Sequence, residues 1–136
     1  MKVLAFDPGG MTGWCVIDSE RGLMASGEFR DWQGMKDKVN EYEPDVIVYE
    51  IFRLYAWKAQ CKSWDTFVEI EAIGVLKFLA QELEIPCVGQ NPAERKFFTD
   101  EKLKANDMFP CSKHAADAVR HGLFYLQFGR HRKAKK

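Results

Sequence analysis

Asp7, Glu50, His114 and Asp117 are the residues of this chain whose types and places could do chemistry. Asp7 closes the apolar run Val3-Leu4-Ala5-Phe6 and stands just before Pro8-Gly9-Gly10. Glu50 closes a second run, Val46-Ile47-Val48-Tyr49. A carboxylate at the end of such a run is costly to bury unpaired, so it either reaches solvent or binds a cation. His114 and Asp117 are three residues apart and share one face of a helix. Ala115, Ala116 and Ala118 surround them, small enough to let that helix lie close against a sheet and bring Asp117 toward Asp7. The four side chains would make a mostly oxygen-lined pocket. Such a pocket suits Mg²⁺ or Mn²⁺, and Mn²⁺ tolerates the imidazole better. Two such ions about 4 Å apart can activate water and stabilise the leaving oxygen in phosphodiester hydrolysis. One ion would be organised by Asp7, Glu50 and Asp117, the other by Asp7, Asp117 and His114. His121, four residues past Asp117, could support them from behind.

Each residue also has an ordinary reading. Asp is common before a Pro-Gly turn. Glu50 could pair with Arg53, His114 could cap a helix, and Asp117 could pair with Arg120 or His121. The joint pattern, rather than any one residue, points to a metal site.

The elements that must position these groups follow from the apolar patterning. Residues 2–7, 12–18 and about 23–29 read as three antiparallel strands joined by short turns at Pro8-Gly9-Gly10 and Glu20-Arg21-Gly22. A helix is expected over about 32–42, stopped by Pro44, and a buried strand over 46–50. A longer helix is expected through about 64–84. Its apolar residues, among them Phe67, Ile70, Leu76 and Phe78, cover more than one stripe, which suggests burial on two sides, either at a subunit interface or within one subunit. Residues 85–89 read as a short strand and Asn91-Pro92-Ala93-Glu94 as a helix start. Residues 99–112 read as a polar, Lys-bearing, mobile stretch, and the last helix as 113–128. The sum is an α/β domain, a mixed five-stranded sheet flanked by helices, over residues 1–128, with a basic tail over 129–136.

With 136 residues and 46% hydrophobic residues, one globular domain is expected. No apolar run is long enough to span a membrane, and the chain opens directly on a strand rather than a signal peptide. Cys15, Cys61, Cys87 and Cys111 form no C-x-x-C pair, so reduced thiols in a cytoplasmic protein are the plain reading. The net charge is zero, but residues 1–94 hold 9 basic and 16 acidic side chains and residues 95–136 hold 11 basic and 4 acidic ones. That asymmetry, ending in Arg130, Arg132, Lys133, Lys135 and Lys136, fits contact with a polyanion or a solubilising tail.

Three segments carry a family likeness. Phe6-Asp7-Pro8-Gly9-Gly10-Met11-Thr12-Gly13-Trp14 resembles the opening motif of RuvC-type Holliday junction resolvases. Val46-Ile47-Val48-Tyr49-Glu50 looks like their second motif, a buried strand closing on a glutamate, and Lys113-His114-Ala115-Ala116-Asp117-Ala118 resembles the third. Ile73-Gly74 and Asn91-Pro92-Ala93 fit the phage branch of the family. The resemblance spans nearly the whole chain. It implies a ribonuclease H-like fold, a homodimer, two Mg²⁺ (or Mn²⁺) ions per site, and paired nicks in a four-way DNA junction during recombination, repair or phage DNA processing. It places Asp7, Glu50 and Asp117 as metal ligands, with His114 where many members have an aspartate and some a histidine. It also implies an aromatic residue stacking at the opened junction, for which Phe52 and Tyr55 are candidates.

Further DNA contacts are expected from Arg53, Trp57, Lys58 and Lys62 after the glutamate strand, and from Arg95, Lys96, Lys102, Lys104 and Lys113 before and at the last helix. Three other readings stay open. The chain could be a nuclease of flaps, forks or structured RNA, or a branched-DNA-binding protein without chemistry. Asp-x-Gly followed by Thr also resembles a phosphate loop of actin-like ATPases, which need far more chain than this.

Overall fold

The computed structural model describes residues 1–52, 67–110 and 112–129. Its centre is the strand β1 (Lys2–Asp7), in which Val3, Leu4, Ala5 and Phe6 are wholly buried. A strand without polar alternation must be covered on both faces, and β1 is. It pairs antiparallel with β2 (Thr12–Asp18), which pairs antiparallel with β3 (Gly22–Phe29). On its other side β1 pairs parallel with β4 (Val46–Glu50), and β4 parallel with β5 (Cys87–Gln90). The sheet order is β3-β2-β1-β4-β5.

Helices α1 (Gln33–Tyr42) and α2 (Val68–Glu82) cover one face of this sheet, where Leu4, Phe6 and Ile47 meet Met35, Val39, Ala72 and Leu76. Helix α4 (Lys113–Phe124) covers the other, where Val3, Ala5, Val46 and Val48 meet Ala116, Ala118 and Val119. Side chains along a strand alternate between faces. Asp7 therefore continues the Val3-Ala5 row and Glu50 the Val46-Val48 row, and both carboxylates are delivered to the α4 face. They stand at the carboxyl ends of adjacent parallel strands, where groups of such sheets can meet a ligand.

Gly13 sets how closely α4 approaches. It lies opposite Asp7 in the β1–β2 ladder, and a Cβ there would overlap the His114 carbonyl and crowd the Ala115 amide. Helix backbone thus rests directly on strand backbone. Ser112 starts the helix, its Oγ accepting from the Ala115 N–H at 3.0 Å, which satisfies one of the free amides of the first turn. Gly13→Ala is expected to cost about 3 kcal/mol, the scale of an overpacked core, read as a lower urea midpoint. A loss within about 0.5 kcal/mol, the range of an indifferent surface change, would show that α4 is not seated there.

The expected strands and helices are present with shifted ends; of the helix expected through about 64–84, residues 64–66 lie outside the described ones. The helix expected over 113–128 is α-helical to Phe124 and closes in a wider π turn, Tyr125–Gly129. Asn91-Pro92 opens a 3₁₀ turn, Pro92–Phe97. The stretch expected to be mobile, 99–112, instead contains the short helix α3 (Asp100–Ala105). Thr99 caps it by accepting from the Lys102 N–H at 3.3 Å, and Leu103 is buried in the α4-side core. Over its described length α2 is buried along Ala72, Leu76 and Ala80 only. Val68, Ile70 and Phe78 lie exposed on it, Phe78 to 61%. Among the described residues the two-sided apolar pattern is therefore not matched by two-sided burial.

Candidate active site

Asp7 and Glu50 arrive from the sheet and Asp117 from α4, and the three carboxylates are close enough to act on one another. His114, half exposed, holds Nδ1 3.8 Å from Asp7 Oδ2. The four residues singled out by type and spacing thus gather at one place.

The structure adds a set of partners around them. Arg95, in the 3₁₀ turn, donates from Nη1 to Asp117 Oδ2 at 3.0 Å and places Nη2 3.7 Å from Glu50 Oε1. Its Nε donates to the Pro92 carbonyl at 3.1 Å. Arg120 donates from Nη1 to the other Asp117 oxygen at 2.8 Å and from Nε to the Phe98 carbonyl at 2.8 Å, and it also pairs with Asp100. His121 is fully buried. Its Nε2 lies 3.3 Å from Glu50 Oε2 and its Nδ1 lies 2.8 Å from Gln90 Oε1. The i+4 spacing from Asp117 correctly puts His121 on the inner face of α4, but its partner is Glu50. Arg120 pairs with Asp117 as the ordinary reading has it. Glu50 pairs with Arg95 and His121; Arg53, the partner considered for it, lies outside the described residues. Gln90 and Glu69 were not signalled by any motif. Glu69, on the first turn of α2, lines a small cavity of about 200 Å³ with Asp7, Pro8, Glu50, Ile51 and Phe52.

The electrostatics follow from this crowding. Burial, then the neighbouring charges of Glu50 and Asp117, push the Asp7 carboxyl up to about 8 against a weaker pull from Arg95. Burial would also raise Glu50, but the hydrogen bond and charge of His121, with Arg95, outweigh it and hold Glu50 below the usual carboxylate range. Asp7 is therefore the carboxyl of the cluster that keeps a proton at neutral pH, held first by burial and then by the charges of Glu50 and Asp117. Arg95 is held above its ordinary value: burial opposes its charge, and Glu50 and Asp117 more than compensate.

Three interacting carboxylates, one of them forced to keep a proton, are a donor set that fits a hard divalent cation. Among the described residues, no three Asp, Glu, His or Cys side chains are placed to hold a metal ion as they stand. The guanidinium of Arg95 faces oxygens of Asp117 and Glu50, two of the three carboxylates in that donor set. The described thiols do not serve the site. Burial pushes Cys87 up to about 11 and raises Cys15 further.

Of the residues expected to meet DNA, Arg95 turns instead to Asp117 and Glu50, and Lys96 is exposed; the others divide into three groups. Phe52 is half-buried with its ring 5.2 Å from that of Phe67, beside Glu50. Lys102, Lys104 and Lys113 are exposed, Lys102 donating to the Phe97 carbonyl and Lys104 lying over the Phe109 ring. Arg53, Tyr55, Trp57, Lys58, Lys62 and the tail from Arg130 lie outside the described residues.

Neither a family model nor a curated protein matches the sequence. Solved structures do match the fold. RuvC of Thermus thermophilus, in complex with a Holliday junction substrate, superposes with a TM-score of 0.72 over 96% of each chain at 17% identity. The Holliday junction resolvase of fowlpox virus, in complex with junction DNA, superposes with a TM-score of 0.62 over 92% of this chain and 98% of that one at 16% identity. The mixed five-stranded sheet with its flanking helices is the fold of these resolvases, a ribonuclease H-like fold. Among the described residues no helix is long and apolar enough to cross a membrane.

Proposed function

We propose that this chain is a metal-dependent endonuclease that resolves four-way DNA junctions by paired nicks. The observation that carries the proposal is the delivery of Asp7 and Glu50, from adjacent parallel strands, to the face where α4 presents Asp117, so closely that the three carboxylates act on one another. The same fold in two solved relatives holds junction DNA.

Asp7, Glu50 and Asp117, with His114 at the solvent edge, would hold Mg²⁺ or Mn²⁺, two ions per site. Bound metal would supply a water nucleophile at neutral pH and neutralise the phosphate that carboxylates alone would repel. The chain's own groups do the rest. His121, fixed by Gln90, orients Glu50, and Arg120 orients Asp117 through a hydrogen bond anchored on the Phe98 carbonyl. Exposed Lys102, Lys104 and Lys113, and Arg53, Lys58, Lys62 and the basic tail, would bind phosphates on either side. Phe52 and Tyr55, which follow the glutamate in sequence, would meet bases at the branch point, and Trp57 would join the phosphate contacts. The exposed apolar face of α2, with Val68, Ile70 and Phe78, suits a second copy of the chain, and paired nicks need two sites. Free thiols at Cys15 and Cys87 suit the cytoplasm, of a host cell if the gene is a phage's.

The test is cleavage of a labelled four-way junction, with a flap, a linear duplex and an RNA hairpin alongside, in Mg²⁺, Mn²⁺ and EDTA. Symmetric, metal-dependent nicks in the junction are expected. Cleavage of the flap or RNA alone would keep the site and change the substrate. Tight junction binding without any cleavage would leave a DNA-binding protein. His114→Asp is expected to retain cleavage and to shift its preference from Mn²⁺ toward Mg²⁺, because a harder donor then stands at the same edge. Loss of cleavage in that variant would give the imidazole a role that an acid cannot fill.

A further inference from the structure

We propose that Arg95 is a tethered cation that occupies the carboxylate cluster of the metal-free chain and competes with the divalent cation for Asp117 and Glu50. The proposal rests on reading that cluster as a metal site, and it adds a device that decides when the site loads.

Four observations carry it. The guanidinium faces Asp117 Oδ2 at 3.0 Å and Glu50 Oε1 at 3.7 Å, bridging the sheet and α4 where a metal would do so. Its charge cannot be shed by losing a proton, so the space is vacated only by movement. The side chain is 38% exposed, and the bond from Nε to the Pro92 carbonyl is a pivot about which the guanidinium can swing its two Nη groups off the carboxylates. Beside it lies an open cavity of about 310 Å³ that Lys96, Thr99, Asp100 and Arg120 also line, room for the guanidinium to turn away. Finally, Asp117 does not depend on Arg95 for its orientation. Arg120, with only 12% of its side chain exposed, grips the other carboxylate oxygen and is itself fixed by the Phe98 carbonyl. Removing Arg95 should therefore leave the carboxylate in place on Arg120, with Oδ2 and the facing Glu50 oxygen relieved of a competing cation.

A phosphate is a natural alternative partner for a displaced guanidinium, which binds phosphate oxygens in the same two-pronged manner as carboxylates. DNA arriving at the cavity side would then draw Arg95 off the carboxylates and tighten metal binding, and by reciprocity metal would tighten DNA binding.

The test is Mn²⁺ binding to the full chain without DNA, followed as loss of the free-ion electron paramagnetic resonance signal. Wild type, Arg95→Gln, Arg95→Lys and Asp7→Asn are compared. Arg95→Gln is expected to bind Mn²⁺ about tenfold tighter, the scale of one competing charge removed from a half-exposed site. Arg95→Lys should stay near wild type and Asp7→Asn should lose binding. A merely structural role for Arg95 predicts the opposite sign, weaker binding in Arg95→Gln. Unchanged or weaker binding there, with Asp7→Asn still defective, overturns the proposal and leaves the metal site standing. Equal Mn²⁺ binding by wild type and Asp7→Asn overturns the metal site itself. Urea unfolding of Arg95→Gln guards against misfolding: its midpoint is expected to fall in EDTA, where the carboxylates repel, and to return to wild type in Mn²⁺. A midpoint that stays low in Mn²⁺ also counts against the competition. Junction affinity in EDTA and in non-cleaving Ca²⁺ reads the second half. Ca²⁺ should tighten junction binding by wild type about tenfold more than by Arg95→Gln, and equal gains would exclude transfer of Arg95 to phosphate.

Discussion

Asp7→Asn is expected to abolish junction cleavage, by on the order of a thousandfold or more, with junction binding intact. The magnitude follows from charge alone. One unit charge about 4 Å from another at an effective dielectric of 20 is worth roughly 4 kcal/mol, and each 1.4 kcal/mol is about tenfold in rate. The side chain stands at the end of β1 on the α4 face, within reach of Glu50 and Asp117. Nor can the loss be ascribed to unfolding. In the metal-free chain Asp7 already carries a proton, and an amide of the same shape can donate to Glu50 in its place. The variant should be at least as stable as wild type in EDTA. Single-turnover cleavage of a labelled junction, paired with a binding curve in Ca²⁺, separates the two effects. Full activity in the variant would remove the metal-site proposal altogether.

The second large effect is on pH, and it runs against the usual behaviour of acidic residues. In the unfolded chain Asp7 titrates near 3.8, and in the folded one near 8. Between these values the folded state holds one more proton than the unfolded state. Stability contributed by Asp7 is therefore complete below 3.8 and declines as pH rises through about 8, at about 1.4 kcal/mol per pH unit while this difference persists. Glu50 works in the opposite sense, since its folded value is depressed: its contribution is present above 4.5 and lost as pH falls through its lower folded value. Across pH 5–8 the Asp7 contribution declines while that of Glu50 is fully present. Urea midpoints of the wild type in EDTA should fall over that range, and those of Asp7→Asn should not. Divalent cations must displace the same proton, so Mn²⁺ affinity should rise about tenfold per pH unit up to pH 8 and then level off. A flat profile in both measurements would mean that Asp7 is ionised without metal.

Much of this was legible in the sequence, for identifiable reasons. The runs Val3-Leu4-Ala5-Phe6 and Val46-Ile47-Val48-Tyr49 are apolar without interruption because both faces of the sheet are covered, and each ends on its carboxylate. The Ala-rich start of α4 signalled close packing, and the contact at Gly13 realises it. What was not legible depends on contacts far apart in the chain. Arg95 reads as one more phosphate-binding side chain, because nothing local says that the 3₁₀ turn after Pro92 aims it at Asp117, 22 residues on. His121 is placed on the right face by its spacing, but spacing cannot say that Glu50, 71 residues earlier, lies opposite. Gln90, which holds His121 from the last position of β5, carries no motif at all. Helix α3 is only six residues long with one buried side chain, Leu103, too little for a periodic signal.

The alternation that aims Asp7 and Glu50 at α4 bears on how the chain could change length. Val3, Ala5 and Asp7 form one row and Val46, Val48 and Glu50 another. Deleting a single residue within either strand, with the residues before it kept in register, would rotate its carboxylate to the side occupied by α1 and α2, along with every side chain between the deletion and the strand's end. Insertions and deletions compatible with the site are therefore confined to the connections between elements. Two chains could differ at most positions and still share the site, provided that the count of residues inside β1 and β4 keeps its parity.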